Sequence, residues 1–262
     1  MPSADKRARQ KENARAAREQ REAAEKRRKR IRSTTTIAIV AVIFVGLIVL
    51  LNVIGSDKKK ATPPVTTPTT TTATPAGCVF TTPKKTTKPT YKAPPAMTID
   101  TSKTYVAHVD TTCGTFDITL DAAVAPKTVN SFVFLTRNHF YDGLSFHRLV
   151  KDFVIQGGDP KGDGTGGPGY ELPTEPPKSG YKAGSVAMAN AGPNTTGSQF
   201  FVAVSANGAK TLGGPPYLYS DLGTVTKGMD VVQKLMTFAQ NTAEGGAPTH
   251  PLYMNKVTIT ES

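Results

Sequence analysis

The chain has only two cysteines among 262 residues, Cys78 and Cys113. That is too few for a disulfide-dense scaffold or a four-cysteine zinc site. Its histidines, at 108, 139, 147 and 250, show no metal-ligand spacing. No GxSxG elbow is present, so a serine hydrolase of that type is unsupported. Gly164-Thr-Gly-Gly-Pro-Gly169 fits GxGxxG in letters. Pro168 and the lack of a following helical pattern argue against a nucleotide loop. Asp159-Pro-Lys-Gly-Asp163 begins like a calcium loop, yet Lys161 sits at a ligand position and Tyr170 stands where the closing acid is required. There is no internal repeat. A basic surplus is also missing from residues 100–262, which hold 12 Lys/Arg against 14 Asp/Glu. A nucleic-acid-binding domain should carry its own basic face, so no nucleic-acid partner is expected.

The overall net charge of +12 belongs to the first third. Residues 1–33 carry 13 Lys/Arg and 5 Asp/Glu and read as a basic cytoplasmic tail. Residues 34–55 carry no charge at all, and 37–51 (IAIVAVIFVGLIVLL) are continuously apolar. At about 1.5 Å per residue the uncharged stretch 34–55 reaches roughly 33 Å, enough to cross a hydrocarbon core of about 30 Å. It predicts a single transmembrane signal anchor. Eight Lys/Arg within 18–32 face three lysines, Lys58–Lys60, on the other flank. The positive-inside bias then places the N-terminus in the cytoplasm and the remainder outside the cell membrane.

Residues 56–99 are rich in Thr, Pro and Lys with few large apolar side chains. Such a segment buries too little surface to offset the entropy of ordering, so it predicts a disordered extracytoplasmic linker. Cys78 lies in this linker and Cys113 lies beyond it. An extracytoplasmic location permits a disulfide between them, and the sequence leaves it open whether they pair.

Residues 100–262 are long enough for one domain with a substantial core. Short β-branched or alternating runs recur at Tyr105–Val109, Thr115–Leu120, Phe153–Gln156, Ser185–Ala189, Phe200–Val204 and Val257–Thr260. Turns rich in Gly and Pro separate them, which predicts an all-β sandwich or barrel. Two helices are predicted as well. One starts at Pro126 with Val129, Phe132, Val133 and Thr136 on one face, and the other covers Met229–Phe238.

Three segments carry chemistry. They are Phe146-His147-Arg148 leading to Phe153-Val-Ile-Gln-Gly-Gly-Asp159, Gly164-Thr-Gly-Gly167, and Met188-Ala-Asn-Ala-Gly-Pro-Asn-Thr-Thr-Gly-Ser-Gln-Phe-Phe201. In order and spacing they resemble the cyclophilin-type peptidyl-prolyl cis-trans isomerases, as do Leu222-Gly-Thr-Val225 and the last helix. The resemblance covers residues 103–262 and suits a bacterial-type member. It implies a closed eight-stranded antiparallel β-barrel capped by two α-helices. It also implies a monomeric protein-folding enzyme that acts on proline-containing polypeptides and needs no cofactor and no metal.

The reaction explains the residues. Rotation about an X-Pro bond meets a barrier of about 18–20 kcal/mol set by amide resonance. A catalyst must hold the proline ring in an apolar pocket and bind the twisted amide better than either planar form. In the twisted amide the nitrogen recovers a lone pair, for which a fixed guanidinium is a suitable donor. By the resemblance, Arg148 fills that role. Phe153, Val154 and Phe201 line the proline pocket, and Leu212 closes it. Gln156 and Asn190 hydrogen-bond the substrate backbone together with the Ala189 and Ala191 main chain. Gly166, within Gly164–Gly167, flanks the neighbouring subsite.

This chain departs from the family in places. It contains no tryptophan, where relatives often have one at the pocket rim. Tyr219 falls where others carry histidine, and Val154 falls where methionine is common. Cyclosporin binding is therefore expected to be weak. Two other classes of function compete with catalysis. One is a non-catalytic proline-peptide module or holdase chaperone using the same groove. The other is an envelope adaptor working through the basic tail.

Overall fold

The computed structural model describes residues 77–84, 86–242 and 245–262. The predicted tail, apolar span and first part of the linker lie outside the described residues. By its internal contacts the chain divides into Met1–Thr70 and Thr71–Ser262, and every described residue belongs to the second unit. No helix among the described residues is long and apolar enough to cross a membrane.

Nine strands form one antiparallel sheet. They are β1 (Tyr105–Thr111), β2 (Gly114–Leu120), β3 (Leu144–Ser145), β4 (Arg148–Val150), β5 (Val154–Gly157), β6 (Ser185–Met188), β7 (Phe200–Ala203), β8 (Asp221–Lys227) and β9 (Tyr253–Glu261). Their order is β3-β9-β1-β2-β8-β6-β7-β5-β4. The helices are α1 (Pro126–Arg137), α2 (Ala206–Thr211) and α3 (Met229–Met236). An eight-stranded barrel with two helices was predicted; the described residues hold nine strands and three helices. The additions are short. β3 has two residues, and α2 has six, too few to show an apolar stripe. The two ends of the strand order, β3 and β4, are separated in the chain only by Phe146 and His147.

In β1 and β2 the side chains alternate between buried and less buried, as a sheet with one core face requires. Phe116, Phe132, Phe140, Tyr141, Phe146 and Phe200 fill the main core against Leu135, Val232 and Leu235 of the helices. A second, smaller apolar cluster contains Val150, Val154, Ala187, Phe201, Ala203, Ala209 and Leu212.

The start of α1 is capped from a distance. Pro126 occupies its first turn, and Ala125 at the N-cap offers no side-chain acceptor. The Glu175 carboxylate instead accepts from Lys127 N at 3.2 Å, Thr128 N at 2.8 Å and Thr128 Oγ1 at 2.8 Å. This satisfies donors that a helix start leaves orphaned and sets a negative charge at the positive end of its dipole.

The linker was predicted to be disordered; its residues 77–84 and 86–99 pack on the domain as a strap. Cys78 is disulfide-bonded to Cys113 in the β1–β2 turn, with Cα atoms 4.0 Å apart. Val79 N donates to Thr112 O at 2.7 Å, and the Phe80 ring meets Phe238 and His250 at 5.3 and 5.0 Å. Lys88 Nζ donates to the carbonyls of His139 and Asp142. Farther along, Asn130 Oδ1 accepts from Thr98 N at 2.9 Å, and Asn130 Nδ2 donates to Ala96 O at 2.9 Å. Low apolar content is thus offset by a covalent tie, the aromatic anchor Phe80 and specific hydrogen bonds. The strap also explains why α1 buries Asn130 outside its predicted apolar stripe.

Candidate active site

β4 and β5 pair so that Arg148 lies directly opposite Gln156. Arg148 Nη1 donates to Gln156 Oε1 at 3.3 Å. Gln156 lies opposite Phe201 on its other side, across β7. Its amide Nε2 donates to Gln199 Oε1 at 3.1 Å, and Gln199 Nε2 donates to Gly164 O and Gly166 O, each at 2.9 Å. A continuous hydrogen-bonded chain therefore runs from the guanidinium to the glycine-rich loop. Each link restricts the next, so Arg148 is held in orientation before any ligand arrives.

Beside this chain lies the smaller apolar cluster. Val154, Phe201 and Leu212 are buried in it, and Phe153, Ala189 and Tyr219 pack on it partly buried. The Tyr219 ring stands edge-on to Phe201 at 5.2 Å. Tyr181 fixes it: its hydroxyl donates to Tyr219 O at 2.8 Å and accepts from Tyr219 N at 3.1 Å. Burial pushes the Tyr181 phenol up to about 12, so it stays protonated as a donor. Leu212 caps the C-terminal end of α2, which lies on the Phe153 main chain at Gly208; a Cβ there would come within 2.6 Å of Phe153 O.

A groove of about 880 Å³ adjoins the apolar cluster, with Gln156, Gly166, Ala189, Asn190 and Ala191 among its walls. The buried Asp159 carboxylate braces the glycine-rich wall, accepting from Lys161 N at 2.8 Å, Asp163 N at 3.1 Å and Gly164 N. On the opposite wall, Asn190 Nδ2 donates to Leu218 O at 2.8 Å and its Oδ1 accepts from Gly192 N at 3.2 Å. Ala189 N is taken by Gln199 O and Ala191 N by Thr195 Oγ1. The Asn190 side chain and these two N–H groups thus hold the wall itself.

The other predicted residues fall into two adjoining sets, with Arg148 tied to Gln156 of the second. Val154, Phe201 and Leu212 form the apolar set with Phe153 and Tyr219. Gln156, Ala189, Asn190, Ala191 and Gly166 form the polar one. Sequence reasoning assigned no role to Gln199 and Tyr181. Gln199 stands inside the quoted motif, but its reach to two glycine carbonyls depends on tertiary structure. His147, next to Arg148, has both ring nitrogens shielded and without hydrogen-bond partners among the described residues. Burial lowers its pKa, so the ring is neutral at pH 7.

Residues 106–259 match the family model described as cyclophilin type peptidyl-prolyl cis-trans isomerase/CLD. The chain belongs to that family. A Neurospora crassa relative named peptidyl-prolyl cis-trans isomerase-like 1 is 43% identical over 135 residues, covering 48% of this chain and 78% of the relative. A peptidyl-prolyl cis-trans isomerase of Synechococcus elongatus is 49% identical over 96 residues, covering 37% of this chain and 66% of the relative. The crystal structure of a Cryptosporidium parvum cyclophilin type isomerase, obtained in the presence of the dipeptide Ala-Pro, is also similar. It has a TM-score of 0.54 at 28% identity, covering 60% of this chain and 99% of that one. The chain is a peptidyl-prolyl cis-trans isomerase.

Proposed function

We propose that the protein catalyses X-Pro rotation in secreted or cell-envelope polypeptides, from a domain held outside the cell membrane. One observation carries the catalytic assignment: Arg148 is fixed by Gln156, which lines a groove beside an apolar cluster. The proline ring enters the cluster formed by Phe153, Val154, Phe201 and Leu212, with Tyr219 at the rim. The flanking backbone lies along Gln156 and the Ala189–Ala191 wall. Since Ala189 N and Ala191 N are already engaged, their carbonyl oxygens are the groups offered to the peptide. As the amide twists, Arg148 donates to the nitrogen lone pair. That interaction exists only in the transition state, which is what accelerates the step.

The sheet closes into a barrel in this reading, because its two edge strands follow one another in the chain. The bacterial-type assignment rests on Tyr219, and weak cyclosporin binding on the absence of tryptophan. The domain acts as a monomer. Location rests on the uncharged run 34–55 and its asymmetric basic flanks, together with the Cys78–Cys113 bond, which suits an oxidising compartment.

The experiment is refolding of a secreted protein whose slow phase is a proline isomerisation, with full-length protein added in catalytic amount. Acceleration supports the reading. Suppressed aggregation with an unchanged slow phase would make the domain a holdase. Protease added to intact cells should remove the domain while sparing the basic tail. Protection of the domain would place it inside and overturn the location.

A further inference from the structure

The strap reaches the groove. Thr90 lies in its wall beside Gly169 and Pro168. Tyr91 N donates to Pro168 O at 2.8 Å, and the Tyr91 ring meets Phe134 of α1 at 5.0 Å and Tyr170 at 6.4 Å. Tyr170 is tied to the same helix, its hydroxyl 2.7 Å from Ser131 Oγ. Gly169 has a φ of +96°, and a Cβ there would come within 2.5 Å of Thr90 Cγ2 and 2.6 Å of Tyr91 O. Strap and loop are therefore in direct backbone contact, with no room for a side chain between them.

We infer that Thr90 forms the outer wall of the substrate groove, that Tyr91 holds the strap in place behind it, and that the strap sets which residues flanking the X-Pro pair the groove accepts. The glycine-rich loop is held on three sides. Gln199 binds it from the Arg148 side, Asp159 braces it from beneath, and Tyr91 pins it from outside. Gln199 and Asp159 belong to the domain, whereas Thr90 and Tyr91 lie outside the residues that match the family model. The strap thus adds groove surface that this chain supplies from its own extension. Tyr91 is a positioning residue, acting through Pro168 and Gly169. Thr90 lines the groove directly. The inference rests on the groove being the peptide-binding surface described above.

The test uses full-length protein and two peptide lengths. One is acetyl-Ala-Pro-methylamide, too short to reach along the groove. The other carries three further residues on each side of the Ala-Pro pair. Tyr91→Ala should lower kcat/KM for the long peptide at least threefold through KM and leave the short peptide unchanged, while Tyr91→Phe keeps the ring and restores wild-type values. Equal loss on both peptides, or none on either, would overturn the inference. A Tyr91→Ala chain that fails to fold does not end the test, because Thr90→Lys and Thr90→Glu read the same wall. Against long peptides carrying Asp or Lys in the flanking positions, these two variants should shift the Asp/Lys preference in opposite directions by at least threefold. An unmoved preference in folded variants would remove Thr90 from the groove. If wild type itself fails to turn over the short peptide, the isomerase assignment is at fault and not the strap.

Discussion

Arg148 and Gln156 face each other across β4 and β5, with Arg148 Nη1 3.3 Å from Gln156 Oε1. Gln156 is thus the first link of the chain that continues through Gln199 to the glycine-rich loop. Gln156→Leu keeps the volume but removes both links. It should lower kcat/KM about tenfold or more, equivalent to about 1.4 kcal/mol of transition-state stabilisation. The circular dichroism spectrum should be unchanged. Wild-type turnover in this variant would show that Arg148 needs no help in orientation.

Glu175 caps α1 across a separation of 47 residues. Replacing a cap acceptor by alanine costs about 0.5–2 kcal/mol. Glu175→Ala should therefore lower the thermal midpoint, by roughly 2–4 °C per kcal/mol for a domain of this size. Calorimetry checks this, and an unshifted midpoint would mean that water caps the helix equally well.

Asp221 lies nearly buried at the start of β8, and burial raises its pKa from 3.8 to about 7, with the Asp121 carboxylate adding to the effect. The folded state holds this proton more tightly than the unfolded chain does. The resulting stabilisation is fully present below about pH 4 and is lost as pH rises through about 7. Asp221→Asn, which stays neutral, should raise the thermal midpoint at pH 8 and leave it nearly unchanged at pH 4. A midpoint difference independent of pH would contradict this assignment.

The Cys78–Cys113 bond closes a sequence separation of 35 residues. In the chain-entropy account such a cross-link stabilises by roughly 4 kcal/mol. The Cys78→Ala/Cys113→Ala double variant should unfold at lower denaturant, with a steeper denaturant slope because its unfolded chain is no longer cross-linked. Proteolysis should then cut first within 77–99, because the strap loses its covalent end. A strap that resists cleavage as in wild type would show that Phe80, Lys88 and Tyr91 hold it unaided.

Much of the site could be read from the sequence because its residues cluster in three short segments. Arg148, Phe153, Gln156, Asn190 and Phe201 all lie within those segments. Leu212 also joins the pocket, although the segment around it carries no motif. The strap could not be read. Thr/Pro-rich chain looks the same whether it is free or packed, and its anchors Phe80, Lys88 and Tyr91 are single residues without periodicity. Glu175 escaped for a related reason: a cap supplied from elsewhere in the chain leaves no local spacing. β9 was predicted only over Val257–Thr260 because most of its side chains are not buried, which blurs the alternation.

The most direct test is exchange spectroscopy of an Ala-Pro peptide with full-length protein, beside Arg148→Ala. The account predicts fast cis–trans exchange with wild type and a loss of at least a hundredfold in the folded variant. Exchange that survives the loss of Arg148 would leave an isomerase whose amide nitrogen is stabilised by some other group.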